Sequence, residues 1–339
     1  VIGGNFNVLA TDVFKLVIGQ QDFARGSVVA ILLLAPAVLT FAVDKYVSKR
    51  QTAMLTARAV PYRPKPSRGY DRLMTLYCCA IAFLVLAMLG MAIFASLASF
   101  WPYNLKPSLR HYTMGLVDAE VGVGFINSLK MAAGTAVFGT LLVFCGAYLL
   151  EKTRGADGLR GIVRFMAMLP MAVPGLVLGL GYIFFFNEPN NPLNFLYHTM
   201  TLLTLCTIVH FYTTGHLTAV TALKALDGEF EAVSASLKVP FYKTFWRVTL
   251  PISTPALVDI ARYFFINAMT TISAVVFLYS PETKVASIAI LNLDEAGETG
   301  AAAAMAVLIG IASAIATLLF MALGWWVNKR TQAWRTSSR

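Results

Sequence analysis

The sequence predicts an all-α integral membrane protein, and three observations support this fold class. Hydrophobic residues make up 58% of the 339 residues and charged residues only 13%, whereas soluble domains are about one quarter charged. The apolar residues gather into runs of about 20, the length that an α-helix needs to cross a hydrocarbon core about 30 Å thick. These runs lack the alternation over about ten residues that is typical of a membrane β-barrel.

Seven apolar runs are long enough to be membrane spans. They are residues 26–43, 73–100, 125–150, 162–186, 201–220, 252–279 and 301–327. The chain opens with VIGGNFNV, which has neither Met nor the positively charged start of a signal peptide. We therefore expect it to be a piece whose beginning has been removed.

Lysine and arginine are concentrated in every second loop. Eight lie in 44–72, three in 151–161, four in 224–247 and four in 329–339, whereas each intervening loop has at most two. The positive-inside rule places the basic segments and the C-terminus in the cytoplasm, and residues 1–25 outside. This topology of a multi-pass inner-membrane protein accounts for the net charge of +10 without a nucleic-acid partner.

The basic, proline-rich stretch RAVPYRPKPSRGYDR predicts a linker. It divides the chain into an external segment and lone span (1–48), a cytoplasmic linker (49–72), a core of six spans (73–330) and a cytoplasmic tail (331–339). The lone span ends in YVSKR and the last span in WWVNKR. This loose similarity predicts that residues 1–48 are the end of an earlier copy of the same module.

The segment SLKVPFYKTFWRVTLP, residues 236–251, is a polar, aromatic and basic stretch between two apolar runs. The Glu-, Ala- and Ser-rich residues before it predict a short helix that begins near Asp227 as N-cap. Pro240 suits the first turn of a second helix, where its missing N–H is not needed, and Pro251 is expected to end that helix. We therefore expect two short helices, joined by a turn, at the cytoplasmic surface.

The second of these helices is expected to be amphipathic. Phe241, Phe245 and Val248 would form one apolar stripe, with Lys243 and Arg247 on another face. Two interpretations fit this pattern. The segment is either an interfacial loop with its aromatic rings among lipid headgroups or a helix that lays its apolar face in a groove on a cytoplasmic partner. The residues alone leave both interpretations open.

The same segment resembles the cytoplasmic coupling loop of permease subunits in ATP-binding-cassette importers. That family's pattern is Glu-Ala-Ala, three residues, Gly, then an apolar residue and a closing Leu-Pro. The corresponding positions here are Glu231, Ala232, Ser236, Leu237, Lys238, Pro240, Phe241, Phe245, Leu250 and Pro251. Two positions depart from the pattern. Lys238 replaces the turn glycine, which tolerates φ > 0, and would be costly unless the turn is wound differently. Ala232 stands where the family has glutamate, so Glu231 comes one residue early.

Two apolar stretches extend the resemblance over about residues 73–330. FINSLKMAAGTAVFGTLLVFCGAYLLEK and MLPMAVPGLVLGLGYIFFF are similar to successive core helices of these permeases. The resemblance implies a six-helix type I importer permease core, preceded by one helix of an upstream permease copy. Such fused double permeases are similar to the 2-aminoethylphosphonate and ferric iron branches. The run AVPGLVLGLGYIFFFN favours 2-aminoethylphosphonate or a similar organophosphonate as substrate, with ferric iron as the alternative.

The resemblance also implies partners. A separate cytoplasmic ATPase would push the coupling loop and an external or periplasmic substrate-binding protein would dock on outer loops, including 101–124 and 280–300. A second permease half would complete the path. The chain has no Gly-x-x-x-x-Gly-Lys-Ser/Thr segment. ATP is therefore expected on the partner, and we expect this chain to need no cofactor, hold no metal and catalyse no reaction.

Several polar, proline and histidine positions lie within or near the runs. Pro170, Pro174 and Gly175 predict either a broken helix that lines the translocation path or a packing kink. Asn127, at the outer end of its run, is the other candidate for the path. His210 and His216 are expected to make hydrogen bonds between helices.

Other classes of function fit less well. Asp259 and Arg262 lie three residues apart and are expected to pair with each other or with a neighbouring helix. An intramembrane enzyme would need a paired nucleophile and base, or metal-spaced histidines and acids, and the runs show neither. An ion-coupled secondary transporter, the alternative of another class, would need acidic residues in mid-span. The runs are nearly free of acids, which favours ATP-driven uptake.

Overall fold

The computed structural model describes residues 8–48, 67–117, 119–152, 157–226 and 229–331. Most of them lie in helices: α1 Leu9–Phe14, α2 Phe23–Ser48, α3 Arg68–Leu97, α4 Arg110–Val117, α5 Ala119–Lys152, α6 Asp157–Ala172, α7 Gly175–Phe186, α8 Met200–Lys224, α9 Glu229–Ser236, α10 Phe241–Thr244, α11 Leu250–Thr270, α12 Ala286–Glu295 and α13 Thr299–Thr331. Two strands, β1 Ala98–Phe100 and β2 Asn104–Pro107, pair antiparallel directly after α3.

By length and apolar composition, four of the described helices can cross a membrane. They are Phe23–Thr40 of α2, Arg68–Leu97, Gly122–Lys152 of α5 and Thr299–Lys329 of α13, and α6 with α7 makes a fifth if the two form one span. Of the two other predicted runs, 201–220 lies within α8, and only the first part of 252–279 lies in α11. These helices pack on α5 and on each other, so protein rather than lipid surrounds their buried polar side chains, such as Thr207 and His216.

The centre of the bundle is a close packing of α5, α8 and α11. Phe264 of α11 is fully buried there. Its ring lies 3.2 Å from where a Cβ of Gly139 would be and 3.0 Å from where a Cβ of Gly215 would be. A larger residue on either neighbouring helix would therefore push the phenylalanine out of place.

The predicted run 252–279 is not one span. Helix α11 ends at Thr270, and Thr271 has extended backbone angles. The apolar residues that follow form turns that pack against α7, where a Cβ at Gly179 would lie only 2.7 Å from the carbonyl oxygen of Ala274. Val275 and Leu278 are fully buried. This stretch is apolar because the protein core covers it, and hydropathy alone does not separate such a stretch from a lipid-facing one.

The first two helices have the same plan as the last two. A short helix, which in the first case continues through a π-helical turn at Lys15–Gly19, is followed by a residue in the left-handed region, Gln21 (φ 53) or Gly297 (φ 80). The next residue, Asp22 or Glu298, accepts through its carbonyl a hydrogen bond from the amide four residues further on, and a long apolar helix follows. Helix α2 then packs on α6 and α7.

The predicted linker and tail lie largely outside the described residues. Of the linker 49–72, the structure describes 67–72, and α3 begins at Arg68, so the end of the predicted linker is helical. Of the tail 331–339, only Thr331 is described, as the last residue of α13.

Candidate functional site

The segment that resembles a coupling loop folds as two short helices, α9 and α10, as the sequence predicts. The predicted N-cap of the first, Asp227, lies outside the described residues. The amide of Leu237 donates to the carbonyl of Val233 at 3.0 Å, and that of Val239 donates to the carbonyl of Ser234 at 2.9 Å. These bonds close the end of α9 and turn the chain towards α10.

Lys238 is in the left-handed region of backbone conformation, which glycine adopts without strain. Its φ is 54°, in a region that costs an L-residue about 1–2 kcal/mol. The turn is therefore not wound differently to suit a lysine. The surrounding hydrogen bonds impose a glycine-like turn on a residue that is strained in it.

Pro251 does not end the second helix, so that prediction is wrong. Helix α10 passes through a π-helical turn, Phe245–Thr249, directly into α11. The amide of Leu250 donates to the carbonyl of Phe245, five residues back. Pro251 has no N–H to donate and lies in the first turn of α11, immediately after the wider turn. The loop and α11 thus form one continuous helical rod.

The predicted apolar stripe is divided by this π turn. Phe245 packs against α5, with its ring centroid 4.6 Å from that of Tyr148 and 6.1 Å from that of Phe144. Phe241 remains 64% exposed, and Val248 is half-buried. The extra residue in the turn changes the angular spacing along the helix. One aromatic ring therefore anchors the loop, and another projects from it.

The outer surface of the loop is apolar with a basic cleft. Leu237 and Trp246 are 70% and 64% exposed, and the hydroxyls of Ser234 and Thr244 hydrogen bond between the two short helices. A cleft of about 750 Å³ lies between these helices. Three basic residues line it: Lys238, Lys243 and Arg247. Glu231 and Ala232 belong to α9, but their side chains are outside the described part of the structure.

A charged cluster at the same end of the bundle was not predicted from the sequence. The Glu151 carboxylate at the end of α5 accepts a bond from Arg164 Nη2 at 2.8 Å and lies 3.9 Å from Lys224 Nζ. Arg160 donates to the carbonyl of Leu150 through Nε at 3.2 Å. This cluster joins α5, α6 and α8. The only sequence signal for it is a charge at the end of each of three apolar runs.

The predicted break in the run 162–186 is real and large. The helix direction bends by 113° between α6 and α7, across a gap of two residues. This is a broken helix and not a packing kink in a straight span. Pro174 caps α7. A Cβ at Gly175 would lie 2.3 Å from Ser273 Oγ and 3.0 Å from His210 Cε1, so a larger residue at the start of α7 would have to displace these side chains. Pro170 lies in the last turn of α6.

Asn127, the other candidate for the translocation path, is buried at 5% exposure. Its side-chain nitrogen donates to the carbonyls of Glu282 at 2.8 Å and Lys284 at 3.0 Å. The neighbouring hydroxyl of Ser128 accepts from the amide of Ala286 at 2.8 Å. Asn127 thus fastens the segment before α12 to α5, and its role in the path stays a prediction.

The remaining polar predictions have mixed outcomes. Asp259 and Arg262 pair as expected, with 3.1 Å between Oδ1 and Nη2. His210 and His216 were expected to make hydrogen bonds between helices. In both residues Nδ1 is buried and has no hydrogen-bond partner among the described residues, so the prediction is wrong for this atom. His216 instead stacks on the ring of Tyr212 at 5.5 Å.

The described helices form an apolar bundle, and the loop of α9 and α10 continues as helix into one of them. Residues 143–332 match the family model described as binding-protein-dependent transport system inner membrane component. Because the match covers more than half of the chain, the chain belongs to this family. The predicted resemblance to permeases of ATP-binding-cassette importers is confirmed.

Among its relatives, the chain is similar to proteins named for iron transport. It is 31% identical over 316 residues to the ferric transport system permease protein FbpB of Actinobacillus pleuropneumoniae, across 90% of this chain and 44% of that protein. It is 30% identical over 297 residues to the putative ferric transport system permease protein FbpB 1 of Haemophilus influenzae, across 84% and 45%. The chain spans about half the length of these curated relatives.

Solved structures share the fold. A chain in the crystal structure of a bacterial alginate ABC transporter with its alginate pentasaccharide-bound periplasmic protein aligns with a TM-score of 0.59 at 16% identity, over 74% of this chain and 91% of that one. Another structure of a bacterial ABC transporter involved in alginate import gives 0.61 at 15% identity, over 77% and 97%. At such identities the likeness concerns the fold alone.

Proposed function

We propose that this chain is part of the permease of an ATP-driven importer and moves ferric iron across the inner membrane by alternating access. A separate cytoplasmic ATPase binds ATP and pushes the loop formed by α9 and α10. The observation that carries the proposal is the geometry of this loop. It exposes apolar side chains at one end of the bundle and continues without a break into α11.

The loop surface suits a protein groove. Leu237, Phe241 and Trp246 are each more than half exposed, and the neighbouring cleft carries three basic side chains. A groove with an apolar floor and an acidic rim would complement both features. The positive-inside topology supports a cytoplasmic position for the loop and for the C-terminus.

Two rigid connections would carry force from the loop into the membrane. One is the helical rod of α10, the π turn and α11. The other is Phe245, which packs on Tyr148 and Phe144 of α5. When two ATPase subunits close, displacement of the loop would tilt α11 and α5 together as one body.

Ferric iron replaces the phosphonate as the preferred cargo. The relatives that cover most of this chain are named as ferric transport permeases, whereas the phosphonate preference rests only on the run 172–187. An external or periplasmic binding protein would deliver the iron to the outer loops.

We further infer that residues 1–48 belong to an upstream permease copy on a longer chain. The shared plan of α1–α2 and α12–α13 supports this, including a left-handed residue before the long helix in each. The two relatives that align with most of this chain are each matched over less than half of their own length, which agrees with a two-copy protein. Helix α2 would then supply part of the interface between the two halves, through its packing on α6 and α7.

Substitution of Phe241 tests the docking role. Phe241→Asp places a charge on the exposed apolar surface, and we expect it to abolish co-purification of the ATPase and ATP-dependent iron uptake while membrane insertion stays normal. The matched control Phe241→Leu keeps an apolar side chain and should keep both. Normal uptake in the aspartate variant would contradict docking and favour the lipid-interface interpretation.

The cargo is tested with the whole transporter, its ATPase and its binding protein in liposomes. Binding protein loaded with ferric iron is expected to stimulate ATP hydrolysis by this preparation. A binding protein loaded with 2-aminoethylphosphonate is expected to cause no stimulation. Stimulation by the phosphonate complex alone would reject ferric iron as the cargo but would leave the permease role intact.

A further inference from the structure

We propose that the hairpin of β1 and β2 is a contact with the membrane surface. Its tip, residues 100–105, rests among the phospholipid headgroups of the outer leaflet, with Phe100 and Tyr103 as the main contacts. The resemblance to importer permeases places the binding protein on outer loops that include 101–124. The membrane contact goes beyond the proposed function, because it is independent of the cargo, and it reassigns the first part of this loop from protein to lipid.

The exposed side chains of the hairpin are mainly apolar. Tyr103 is 84% exposed and Phe100 is 61% exposed, and their rings stack with centroids 5.8 Å apart. Leu105, on the second strand, is exposed as well. Soluble surfaces carry such side chains singly, whereas a contiguous exposed group indicates a contact with another apolar surface.

The base of the hairpin is fixed to the bundle. Ala98 is buried, and its carbonyl accepts a hydrogen bond from Nε2 of His111 in α4 at 2.9 Å. Across the hairpin, the hydroxyl of Ser99 donates to the carbonyl of Lys106 at 2.8 Å. The exposed tip therefore has a defined position at the outer end of α3.

Helix α3, which leads directly into the hairpin, has the exposure of a lipid-facing span. Every residue from 68 to 91 is exposed, and the helix is long and apolar enough to cross a membrane. Near its outer end Phe94 is also exposed, and the ring of Trp101 packs edge-on against it with 6.0 Å between centroids. The aromatic surface of the hairpin thus continues the lipid-facing surface of α3.

The length of α3 sets the depth of the hairpin. Its last charged residue on the cytoplasmic side is Arg72, and residues 73–97 span about 37 Å at about 1.5 Å per residue. The hydrocarbon core accounts for about 30 Å of this, and each headgroup layer adds about 5–7 Å. Leu97 would therefore reach the outer headgroup layer, and a helix tilt of about 20° lowers it by only about 2 Å.

The backbone of the hairpin agrees with this depth. Within the described residues its two strands pair only with each other, so each strand has an open edge whose N–H and C=O groups need water. The hydrocarbon core would leave these groups unsatisfied, whereas the headgroup layer supplies water to the backbone and an apolar floor to the rings. Tyrosine, with an apolar ring and a polar hydroxyl, is enriched at this level.

Exposed aromatic side chains also suit protein interfaces, so depth and charge decide between lipid and protein. The charged residue of the hairpin is Lys106, which is exposed. A lysine at this depth can lay its stem along the apolar layer while its amine reaches lipid phosphates. The outer segment 280–300 differs, since it is acidic and so better suited to a partner in water. Its acids are Glu282, Asp294, Glu295 and Glu298.

A photoreactive side chain at the tip identifies the partner. The complete transporter, with its ATPase and binding protein, is placed in liposomes of phosphatidylethanolamine and phosphatidylglycerol. After illumination of the Tyr103→p-benzoylphenylalanine variant, mass spectrometry should find lipid adducts severalfold more often than for the same change at Glu295, which is exposed in the acidic segment before α13. Equal frequencies at the two positions, or adducts of the Tyr103 variant mainly with the binding protein, would overturn the proposal.

The affinity of the binding protein gives a second, independent readout. Tyr103→Asp places a charge on the tip, and the matched control Tyr103→Phe keeps an aromatic ring. If the tip contacts lipid, both variants should bind the binding protein with the Kd of the wild type. A loss of about tenfold or more in the aspartate variant alone, equivalent to about 1.4 kcal/mol, would show a docking surface and refute the lipid contact. Neither measurement depends on the cargo, so failure of the proposed cargo and failure of the lipid contact are distinguishable.

Discussion

Phe245 offers a quantitative test of how the loop is fixed to the membrane bundle. A fully buried Phe→Ala change costs about 3–5 kcal/mol. Phe245 is half-buried and packs on two rings, with centroids at 4.6 Å and 6.1 Å. We therefore expect Phe245→Ala to lower the free energy of unfolding by about 2 kcal/mol, roughly half of the full-burial value. The loss is local, and the exposed docking surface is unchanged.

The assay compares thermal unfolding of the purified transporter at one fixed scan rate, since unfolding of such proteins is often irreversible. Phe245→Ala should unfold at a lower temperature than the wild type, whereas Phe241→Ala, which removes a 64% exposed ring, should unfold with the wild type. The ATPase should still bind Phe245→Ala, but iron moved per ATP should fall because the loop pushes α5 less directly. Equal unfolding temperatures for the two variants would refute the anchoring role of Phe245.

Two further predictions concern backbone geometry. Lys238→Gly should raise the free energy of unfolding by about 0.5–1 kcal/mol, because glycine holds φ 54 without strain. Lys238→Ala, which removes the charge and keeps the Cβ, should give no such gain in a thermal-unfolding comparison, and an equal gain would attribute the effect to charge. Asn127→Leu leaves the carbonyls of Glu282 and Lys284 without their donor, at a cost of about 1–3 kcal/mol. Purified protein should then be cleaved faster by trypsin at Lys284, and an unchanged cleavage rate would argue against the fastening role of Asn127.

The loop formed by α9 and α10 shows which parts of a candidate site can be predicted locally. The positions of its two short helices follow from Pro240, the turn after Ser236 and the composition of the flanking residues. The π turn at Phe245–Thr249 does not, since it depends on the packing of Phe245 against α5, about 100 residues earlier in the chain. For this reason both the predicted stop at Pro251 and the predicted single stripe were wrong.

The helix break shows the same division. Two prolines and a glycine predict an interruption, but not an angle of 113°. At the break Gly175 lies close to Ser273, and α8, α11 and α2 surround the cavity there, so the geometry depends on segments far away in the sequence. Likewise, whether Nδ1 of His210 has a hydrogen-bond partner depends on the neighbouring helices, and no local sequence pattern indicates this.

By itself, the sequence determined the membrane class, the approximate positions of the apolar helices and the resemblance to importer permeases. These follow from composition, run length and the distribution of charge, which are properties of contiguous residues. Only the tertiary structure decided that α11 ends at Thr270, that the next apolar residues form buried turns, and which side chains meet at the helix break. The reason is that lipid and protein interior are equally apolar surroundings. Packing between segments far apart in the chain determines whether a given residue contacts lipid or the protein interior.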